Sequence, residues 1–246
     1  MARRDDIVKY ANELLEIERF PEYGPPGLQV VGSEDVTKLV SGVSSSRELF
    51  ERAARSGAQM VLVHHGLFWR NEPLVIDRRL RGRLQALFAG DVSLVAYHLA
   101  LDAHPELGNN ALLAQRLGAT YEGPFAEIGA AARLDGVSPE ELERRLEDAT
   151  GRAPLVFAHG PERIERVAIV TGGGGARVIQ AAHEKFDAFV TGEPEEPALE
   201  TARELGIHFL AGGHYATETF GVNALAARLA RAFGLEREFV DIPNPV

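Results

Sequence analysis

In Met60-Val61-Leu62-Val63-His64-His65-Gly66, four apolar residues are followed at once by two histidines and a glycine. A short apolar run beside turn residues is typical of a buried strand in a parallel sheet. Side chains alternate along a regular strand, so adjacent histidines would point to opposite faces. At the carboxyl end of the strand the chain turns at Gly66, and both histidines can then face the crevice in which α/β proteins bind ligands. The segment therefore indicates an α/β fold and a candidate metal site together.

Strands and helices alternate along the chain on both sides of this segment. Short apolar runs predict the strands, and apolar residues at three-to-four spacing predict the helices between them. This alternation is typical of an α/β protein with mostly parallel sheets. The predicted strands are 38–43, 60–63, 93–97, 155–157, 167–170, 187–190 and 207–211, and the predicted helices include 80–88, 110–117, 197–205 and 218–233.

The two halves of the sequence carry short motifs in the same order. Val40-Ser41-Gly42 corresponds to Val170-Thr171-Gly172, and Asn110-Ala111-Leu112 corresponds to Asn223-Ala224-Leu225. The shared order favours an internal duplication of a β-α-β unit. The alternative is a chance likeness between two α/β segments.

The piece between the two halves, about residues 125–165, follows a different pattern. Ser138, Pro139 and Glu141 form a strong helix start, with a capping serine, a proline at the first helical position and a glutamate three residues after the cap. We assign this piece to the second half. The predicted organisation is two similar α/β domains, 1–124 and 125–246, with a dinuclear metal site in the cleft between them.

Composition limits the chemistry that this chain can perform. The 246 residues include no cysteine, which excludes disulfides, thiolate metal sites and cysteine nucleophiles. The net charge of −10 gives no overall attraction to nucleic acid or anionic lipid. The arginines in 78–83 are expected to form a solvated helix face, with a local basic patch as the alternative. A charged N-terminus and the absence of a long apolar run predict a cytoplasmic protein outside the membrane.

Two further pairs of metal-binding residue types follow predicted strands. His98 and Asp102 follow the strand 93–97, and His214 and Glu218 follow the strand 207–211. A single histidine four residues before an acid is common by chance. Three such clusters at strand ends on the same predicted sheet edge are a much stronger indication of a metal site.

The number of candidate ligands favours two ions. One ion takes about four ligands, and a carboxylate can bridge two ions. Imidazole and carboxylate together suit zinc, manganese, iron, cobalt or nickel. The five side chains predicted to hold two divalent metal ions per subunit are His64, His65, Asp102, His214 and Glu218.

Other polar residues admit two interpretations each. His98 is a weak catalytic candidate, as a partner of a ligand or a proton shuttle, or else a structural residue. Glu193 either lines the cleft or lies on the surface. Gly172–Gly175 forms a tight turn or a phosphate cradle, without the lysine of a P-loop. The remaining histidines, which we interpret as structural or surface residues, are His104, His159, His183 and His208.

The sequence resembles the Nif-three-like family, in the short bacterial form that lacks a large inserted domain. The resemblance runs nearly end to end and is carried by the segment 27–30 (Gly-Leu-Gln-Val) together with five longer or functional motifs. Members of the family are often labelled GTP cyclohydrolase 1 type 2 homologues. The motifs are 63–69 (Val-His-His-Gly-Leu-Phe-Trp), 98–105 (His-Leu-Ala-Leu-Asp-Ala-His-Pro), 212–218 (Gly-Gly-His-Tyr-Ala-Thr-Glu), 171–174 (Thr-Gly-Gly-Gly) and 241–245 (Asp-Ile-Pro-Asn-Pro).

The resemblance implies a dinuclear metal site with the five ligands named above. It also implies two similar α/β domains and a ring-shaped homohexamer whose metal sites face the interior. One departure is visible, because Pro26 stands before Gly27-Leu28-Gln29 where the family often has asparagine. The departure leaves the ligands intact and removes a polar side chain from that loop.

The leading functional hypothesis is a metal-dependent hydrolase. A water bridging two metals would attack an electrophilic carbon or phosphorus of a nucleotide or phosphoester, as in a GTP-cyclohydrolase-like reaction. One alternative is a non-enzymatic metal carrier or regulatory protein. The other is a nucleic-acid-binding ring, which the net charge disfavours.

Overall fold

The computed structural model describes residues 1–246, which divide into two compact units. The first unit comprises Met1–Leu101 and Gly221–Ile242, and the second comprises Asp102–Phe220 and Pro243–Val246. The chain therefore builds most of the first unit, then the second, and then returns to complete the first.

The secondary structure alternates between strands and helices over most of the chain. The strands are β1 (Ala2–Arg3), β2 (Gly27–Val30), β3 (Asp35–Val36), β4 (Lys38–Ser44), β5 (Met60–His65), β6 (Ser93–Ala96), β7 (Thr120–Phe125), β8 (Gly129–Val137), β9 (Leu155–Phe157), β10 (Ile164–Val170), β11 (Ala188–Thr191), β12 (His208–Ala211) and β13 (Glu236–Phe239). The α-helices are α1 (Arg4–Leu14), α2 (Arg47–Arg55), α3 (Arg78–Ala89), α4 (Leu99–Asp102), α5 (Asn109–Arg116), α6 (Pro139–Thr150), α7 (Val178–His183), α8 (Ala198–Leu205), α9 (His214–Thr217) and α10 (Thr219–Phe233), with 3-10 turns at Ile17–Arg19 and Gly175–Arg177. None of the helices combines the length and the apolar character needed to cross a membrane.

The first unit is organised around a five-stranded sheet in the order β13-β4-β5-β6-β2. Strands β13, β4, β5 and β6 run parallel, and β2 pairs antiparallel with β6. Helix α2 starts at Ser46, whose side chain accepts a hydrogen bond from the Leu49 amide, and buries Leu49, Phe50 and Ala53. A Cβ on Gly42 of β4 would lie 2.8 Å from a Leu49 methyl carbon, so glycine permits this close packing of helix on sheet.

The second unit contains a six-stranded sheet in the order β7-β8-β10-β11-β12-β9. Strands β10, β11 and β12 are parallel, and the other pairings are antiparallel. Two groups of buried side chains form its core. One includes Leu113, Leu142 and Leu146, and the other includes Phe189 and Phe209.

The predicted start of α6 is confirmed. Ser138 accepts a hydrogen bond from the Glu141 amide, and Pro139 occupies the first helical turn. The helix ends at Thr150, and the next residue, Gly151, caps it in the left-handed conformation with a φ of 72°, which glycine adopts readily.

Two expectations about the architecture are corrected. Mostly parallel pairing holds for the five-stranded sheet of the first unit, but in the second unit three of the five pairings are antiparallel. The division after residue 124 differs from the compact units, which change at Leu101 and Asp102. The physical reason is that α5 buries Leu113 and Ala114 in the same core as Ala130 and Ala132 of β8. The mixed α/β fold itself is as predicted.

Candidate metal centre

In the first unit, two histidines lie at the carboxyl end of β5, as the sequence predicts. His64 is fully buried, and its Nδ1 lies 2.9 Å from the carbonyl oxygen of Tyr97. The Nδ1 of His65 lies 2.9 Å from the hydroxyl oxygen of Ser44. Because an oxygen contacts Nδ1 in both rings, the nitrogen that each ring would offer to a metal is Nε2.

His98 lies beside these two histidines in the first unit. Its ring centroid is 4.9 Å from that of His64 and 5.5 Å from that of His65. Each of the three imidazoles offers a nitrogen within 4.8 Å of the others, which is the spacing of potential metal ligands. The ring of Trp69 packs against His98 in an edge-on arrangement with centroids 5.2 Å apart.

Glu22 is a buried acidic residue next to His98 that the sequence analysis did not single out. Its carboxylate accepts hydrogen bonds from the amides of Leu99 at 3.1 Å and Ala100 at 2.8 Å. Its Oε2 atom lies 3.6 Å from Nδ1 of His98. No local pattern predicts this contact, because Glu22 and His98 are far apart along the chain. Glu22 therefore fixes the turn that leads from His98 into α4.

In the second unit, Asp102 is a buried carboxylate held by two asparagines. The Asn109 side chain donates a hydrogen bond to Oδ1 of Asp102 at 2.8 Å. The Asn110 side chain donates to the backbone carbonyls of Asp102 at 3.2 Å and Ile128 at 2.8 Å, and accepts from the Thr171 amide at 2.8 Å. The position of Asp102 is thus set by side chains at the start of α5.

His214 and Glu218 lie one helical turn apart after β12. The Nε2 of His214 is 3.1 Å from Oε2 of Glu218, and its Nδ1 forms a hydrogen bond with Glu193. A carboxylate oxygen of Glu218 lies within 4.8 Å of one of Asp102, and both acids are buried. Burial lowers the pKa of His214, but hydrogen bonds and charge from Glu218 and Glu193 outweigh it and raise the pKa to about 9. The second unit therefore holds a partly buried imidazolium among carboxylates.

Gly172 allows the backbone to approach this set closely. Its φ is +62°, and a Cβ at this position would lie 2.1 Å from Oε1 of Glu218 and 3.1 Å from Nε2 of His214. Only glycine fits without displacing the carboxylate. This contact explains the first glycine of the Gly172–Gly175 segment, which forms a turn and a 3-10 helix after β10.

The other polar residues named in the sequence analysis have distinct locations. Glu193 contacts the predicted ligand His214 within the second unit and therefore has more than a bare surface role. His104 accepts backbone hydrogen bonds from Glu106 and Leu107, and His208 contacts the backbone of Gly160 and Pro161. These two histidines have the structural role predicted for them. His183 is exposed at the end of α7, also as predicted.

The fold and these residues define a class of protein: a two-unit α/β chain with histidine and carboxylate clusters after its parallel strands. A family model described as Duf34/NIF3 (NGG1p interacting factor 3) matches residues 2–245. The chain belongs to this family, which confirms the resemblance drawn from its motifs.

Relatives of known sequence or structure match the whole chain. A protein of Escherichia coli strain K12 named "GTP cyclohydrolase 1 type 2 homolog" is 44% identical over 245 residues, covering 99% of each chain. A structure described as protein ybgI, of unknown function, has 44% identity and a TM-score of 0.96 over 100% of both chains. The crystal structure of TTHA1606 from Thermus thermophilus has 37% identity and a TM-score of 0.94 over 100% of both chains. The entire fold is therefore shared with these proteins.

Proposed function

We propose that this protein is a metal-dependent hydrolase that holds two divalent metal ions. The proposal depends chiefly on one observation, the closeness of potential ligand atoms within each unit. His64 and His65 offer nitrogens within 4.8 Å of each other in the first unit, and in the second unit Glu218 offers an oxygen within 4.8 Å of ligand atoms of both Asp102 and His214. Neither set contains enough of the predicted ligands for two ions alone, since one ion takes about four. The predicted ligands are His64 and His65 in the first unit and Asp102, His214 and Glu218 in the second.

The donor set fits divalent transition metals. Imidazole nitrogens and carboxylate oxygens without thiolates suit zinc, manganese, iron, cobalt or nickel. Outer contacts support the same interpretation, because metal-binding residues are usually held by a second hydrogen bond away from the ion. Asn109 supplies such a bond to Asp102, and Glu193 supplies one to His214.

A pair of divalent ions, when bound, supplies Lewis acidity for displacement at a carbon or phosphorus centre. The protein's own residues contribute orientation. Asn109 fixes one oxygen of Asp102, and Glu193 fixes the ring plane of His214. Gly172 keeps the space beside Glu218 clear of a side chain. Side chains held in this way need little rearrangement when a metal ion binds.

We propose a nucleotide or phosphoester as the substrate. The support is the ligand chemistry together with the names of similar proteins, of which several are called GTP cyclohydrolase 1 type 2 homologues. Under this proposal His98 contacts the reacting group or the ligands and is the candidate for proton transfer. The net charge of −10 disfavours the alternative of a nucleic-acid-binding ring.

The experiment is a hydrolysis screen of a metabolite library with metal-loaded protein. Turnover should appear with the wild type and fall by at least about a hundredfold in Asp102→Ala, because one ligand of the two metal ions is lost. Asp148→Ala changes an exposed aspartate paired with Arg144 and should retain turnover. Tight metal binding without any turnover would instead favour the carrier or regulatory alternative. Turnover that survives both chelation and Asp102→Ala would contradict the metal hydrolase.

We also propose that the chain assembles as a homohexamer. The first unit displays a fully or largely exposed apolar segment in which the exposed fractions of Leu74, Val75 and Ile76 are 102%, 65% and 66%. Such a segment suits burial against another copy. Light scattering should give a mass close to six times 26.7 kDa. A monomer at micromolar concentration would contradict the assembly.

A further inference from the structure

A cavity lies in the first unit between the first turn of α3 and the loop that joins β5 to α3, residues 66–77. Its volume is about 420 Å³, which is within the range of small-molecule sites. Its apolar lining includes Leu67, Phe68, Trp69, Leu74, Ile76 and Leu80. We propose that this cavity binds the planar aromatic base of a nucleotide. The inference rests on the proposed function in one respect, the choice of a nucleotide as the substrate class.

Part of the cavity wall is fixed by hydrogen bonds and by core packing. Leu67 is buried, and its amide donates a hydrogen bond to Oε1 of Gln29 at 2.7 Å. Leu80 packs against the core of the first unit, and its amide donates a hydrogen bond to the side chain of Asp77 at 2.7 Å. A wall that is already ordered lowers the entropic cost of binding a ligand.

The rest of the apolar lining is open to water. Leu74, Val75 and Ile76 are exposed, and Phe68 is exposed as well. Exposed apolar side chains that lie together often mark a binding site. A flat apolar ring covers such side chains and gains free energy in proportion to the apolar area removed from water.

Trp69 indicates which kind of apolar ligand fits the cavity. Its indole lines the cavity and also contacts two imidazoles, with ring centroids 5.2 Å from that of His98 and 5.9 Å from that of His65. These contacts hold the indole in place. Every nucleobase has a π-face that stacks on an aromatic side chain, whichever base it is. The cavity therefore suits an aromatic base better than an aliphatic chain.

Arg83 adds a requirement for an anionic group. Three charged residues act on its guanidinium, and all three line the cavity: Arg79, Glu72 and Asp77. Both acids are already engaged, since Glu72 binds Arg79 at 3.0 Å and Asp77 caps α3. Partial burial and the charge of Arg79 lower the pKa of Arg83, which forms no ion pair of its own. A phosphate group supplies the missing counter-charge, because guanidinium binds phosphate through paired hydrogen bonds.

Another copy of the chain is the competing occupant, because the same exposed segment is proposed above to be buried in the assembly. Apolar side chains of a second copy would cover Leu74 and Ile76 but leave Arg83 without a counter-charge. A nucleotide satisfies both requirements. Because the whole Leu74 side chain is exposed, a nucleotide in the cavity leaves its outer surface free for the assembly. The two occupants also respond to different variables, nucleotide concentration and protein concentration.

The fluorescence of Trp69 tests the inference directly, because Trp69 is the only tryptophan of the chain. Protein kept in chelator is titrated with guanosine monophosphate and separately with ribose phosphate, and N-acetyltryptophanamide is titrated in parallel to correct for light absorbed by the base. Guanosine monophosphate should give a saturable change in emission, and ribose phosphate should not. No saturable change, or equal changes with both ligands, would overturn the inference. Emission that varies with protein concentration but not with nucleotide would also overturn it, because another copy would then occupy the cavity.

Two pairs of variants test the apolar wall and the charge. Leu74→Ser should weaken the binding of guanosine monophosphate, whereas Leu155→Ser, at an exposed leucine of the second unit, should not. Arg83→Gln should weaken it by about tenfold and leave the binding of guanosine nearly unchanged, because a charge-assisted hydrogen bond to phosphate is lost. Arg81→Gln, at an exposed arginine of the same helix, is the matched control. Equal affinity of Arg83→Gln and the wild type for the nucleotide would overturn the assignment of an anionic ligand.

The use of chelator separates this inference from the metal-dependent reaction. Saturable binding in chelator, with no nucleotide turned over after metal loading, would support the cavity as a base site and contradict the proposed hydrolase. Nucleotide turnover with unchanged kinetics in Leu74→Ser and no response from Trp69 would support the hydrolase and overturn the inference.

Discussion

The two units place different chemistry after their parallel strands. In the first unit the cluster consists of imidazoles, His64, His65 and His98, after β5 and β6. In the second unit a single imidazole, His214, lies among carboxylates that include Glu193 and Glu218. One cluster presents imidazole nitrogens, and the other is rich in carboxylate oxygens.

The difference shows how similar chain patterns produce different metal-binding properties. An unprotonated imidazole binds a metal ion through a ring nitrogen, and no proton has to be released. The acidic cluster attracts cations more strongly, but its carboxylates also retain a proton on His214, whose pKa is about 9. A cation entering the second unit must therefore displace that proton. The comparison predicts that the two clusters respond differently to substitution, to crowding and to pH.

The largest expected effect comes from removing the imidazole of the acidic cluster. His214→Ala should abolish the second bound ion and most of the rise in melting temperature that added metal gives the wild type. A ligand that binds only the folded state stabilises it by about 4 kcal/mol at a thousand times its Kd. Melting curves with and without Zn²⁺, together with elemental analysis, measure both quantities.

The control for this substitution lies in the same unit. His183→Ala removes an exposed histidine and should keep the full metal-dependent shift and two ions. If His214→Ala also keeps both, then His214 is not a ligand and the two clusters do not act together. A maximum of one ion in saturated wild-type protein would contradict the dinuclear proposal.

A smaller effect is expected from crowding the acidic cluster at Gly172. In Gly172→Ala the new Cβ would overlap Oε1 of Glu218, and the residue would also sit at φ +62°. Together these should lower the free energy of unfolding by about 2–4 kcal/mol and weaken Zn²⁺ binding. Gly151→Ala is the matched control, because Gly151 has φ +72° and a Cβ added there would meet no atom within 4 Å. It should cost only about 1 kcal/mol and leave Zn²⁺ affinity unchanged.

The outcome at Gly172 distinguishes a local backbone effect from a ligand effect. Equal losses of stability in both variants with unchanged metal affinity would mean that Glu218 tolerates displacement. A loss of affinity confined to Gly172→Ala would sharpen the contrast between the clusters, because the imidazole contacts of the first unit involve no such glycine.

The smallest expected effect is the pH dependence of the metal-free protein. The folded pKa of His214, about 9, lies above its usual value of 6.5. Its protonated form therefore stabilises the fold fully below pH 6.5, and this contribution is lost as the pH rises through 9. In chelator, the melting temperature should fall across this window in the wild type and fall less in Glu193→Gln, which removes one charge beside His214. An equal fall in melting temperature with pH in the wild type and in Glu193→Gln would contradict this account of the acidic cluster.

The sequence correctly predicted those structural features that depend on residues close together along the chain. The apolar run of β5 places His64 and His65 at a strand end, and the serine–proline start of α6 forms as expected. Both depend on alternation, capping and turn chemistry within a few residues. The same reasoning placed His98 after β6 but could not show that its ring lies 4.9 Å from His64.

Contacts between distant segments account for what the sequence did not reveal. Glu22 is identified only by its contacts with Leu99 and Ala100, and the role of Glu193 is decided only by its contact with His214. The antiparallel strands β7 and β8 were also missed, because Gly123 and Pro124 interrupt β7 and because β8 is rich in alanine and glycine, all residues that are depleted in strands. Pairing partners are set by the tertiary fold, and local propensity carries little information about them.

The return of the chain to the first unit has a consequence for its synthesis. Strand β13 pairs with β4 in register from Glu236 with Lys38 to Phe239 with Ser41, so it forms one edge of the first sheet. A ribosome makes residues 38–65, including both histidines of β5, long before residues 236–239. During translation β4 therefore has an open edge while the whole second unit is being made. The five-stranded sheet of the first unit is therefore completed at this edge only after β13 has been synthesised.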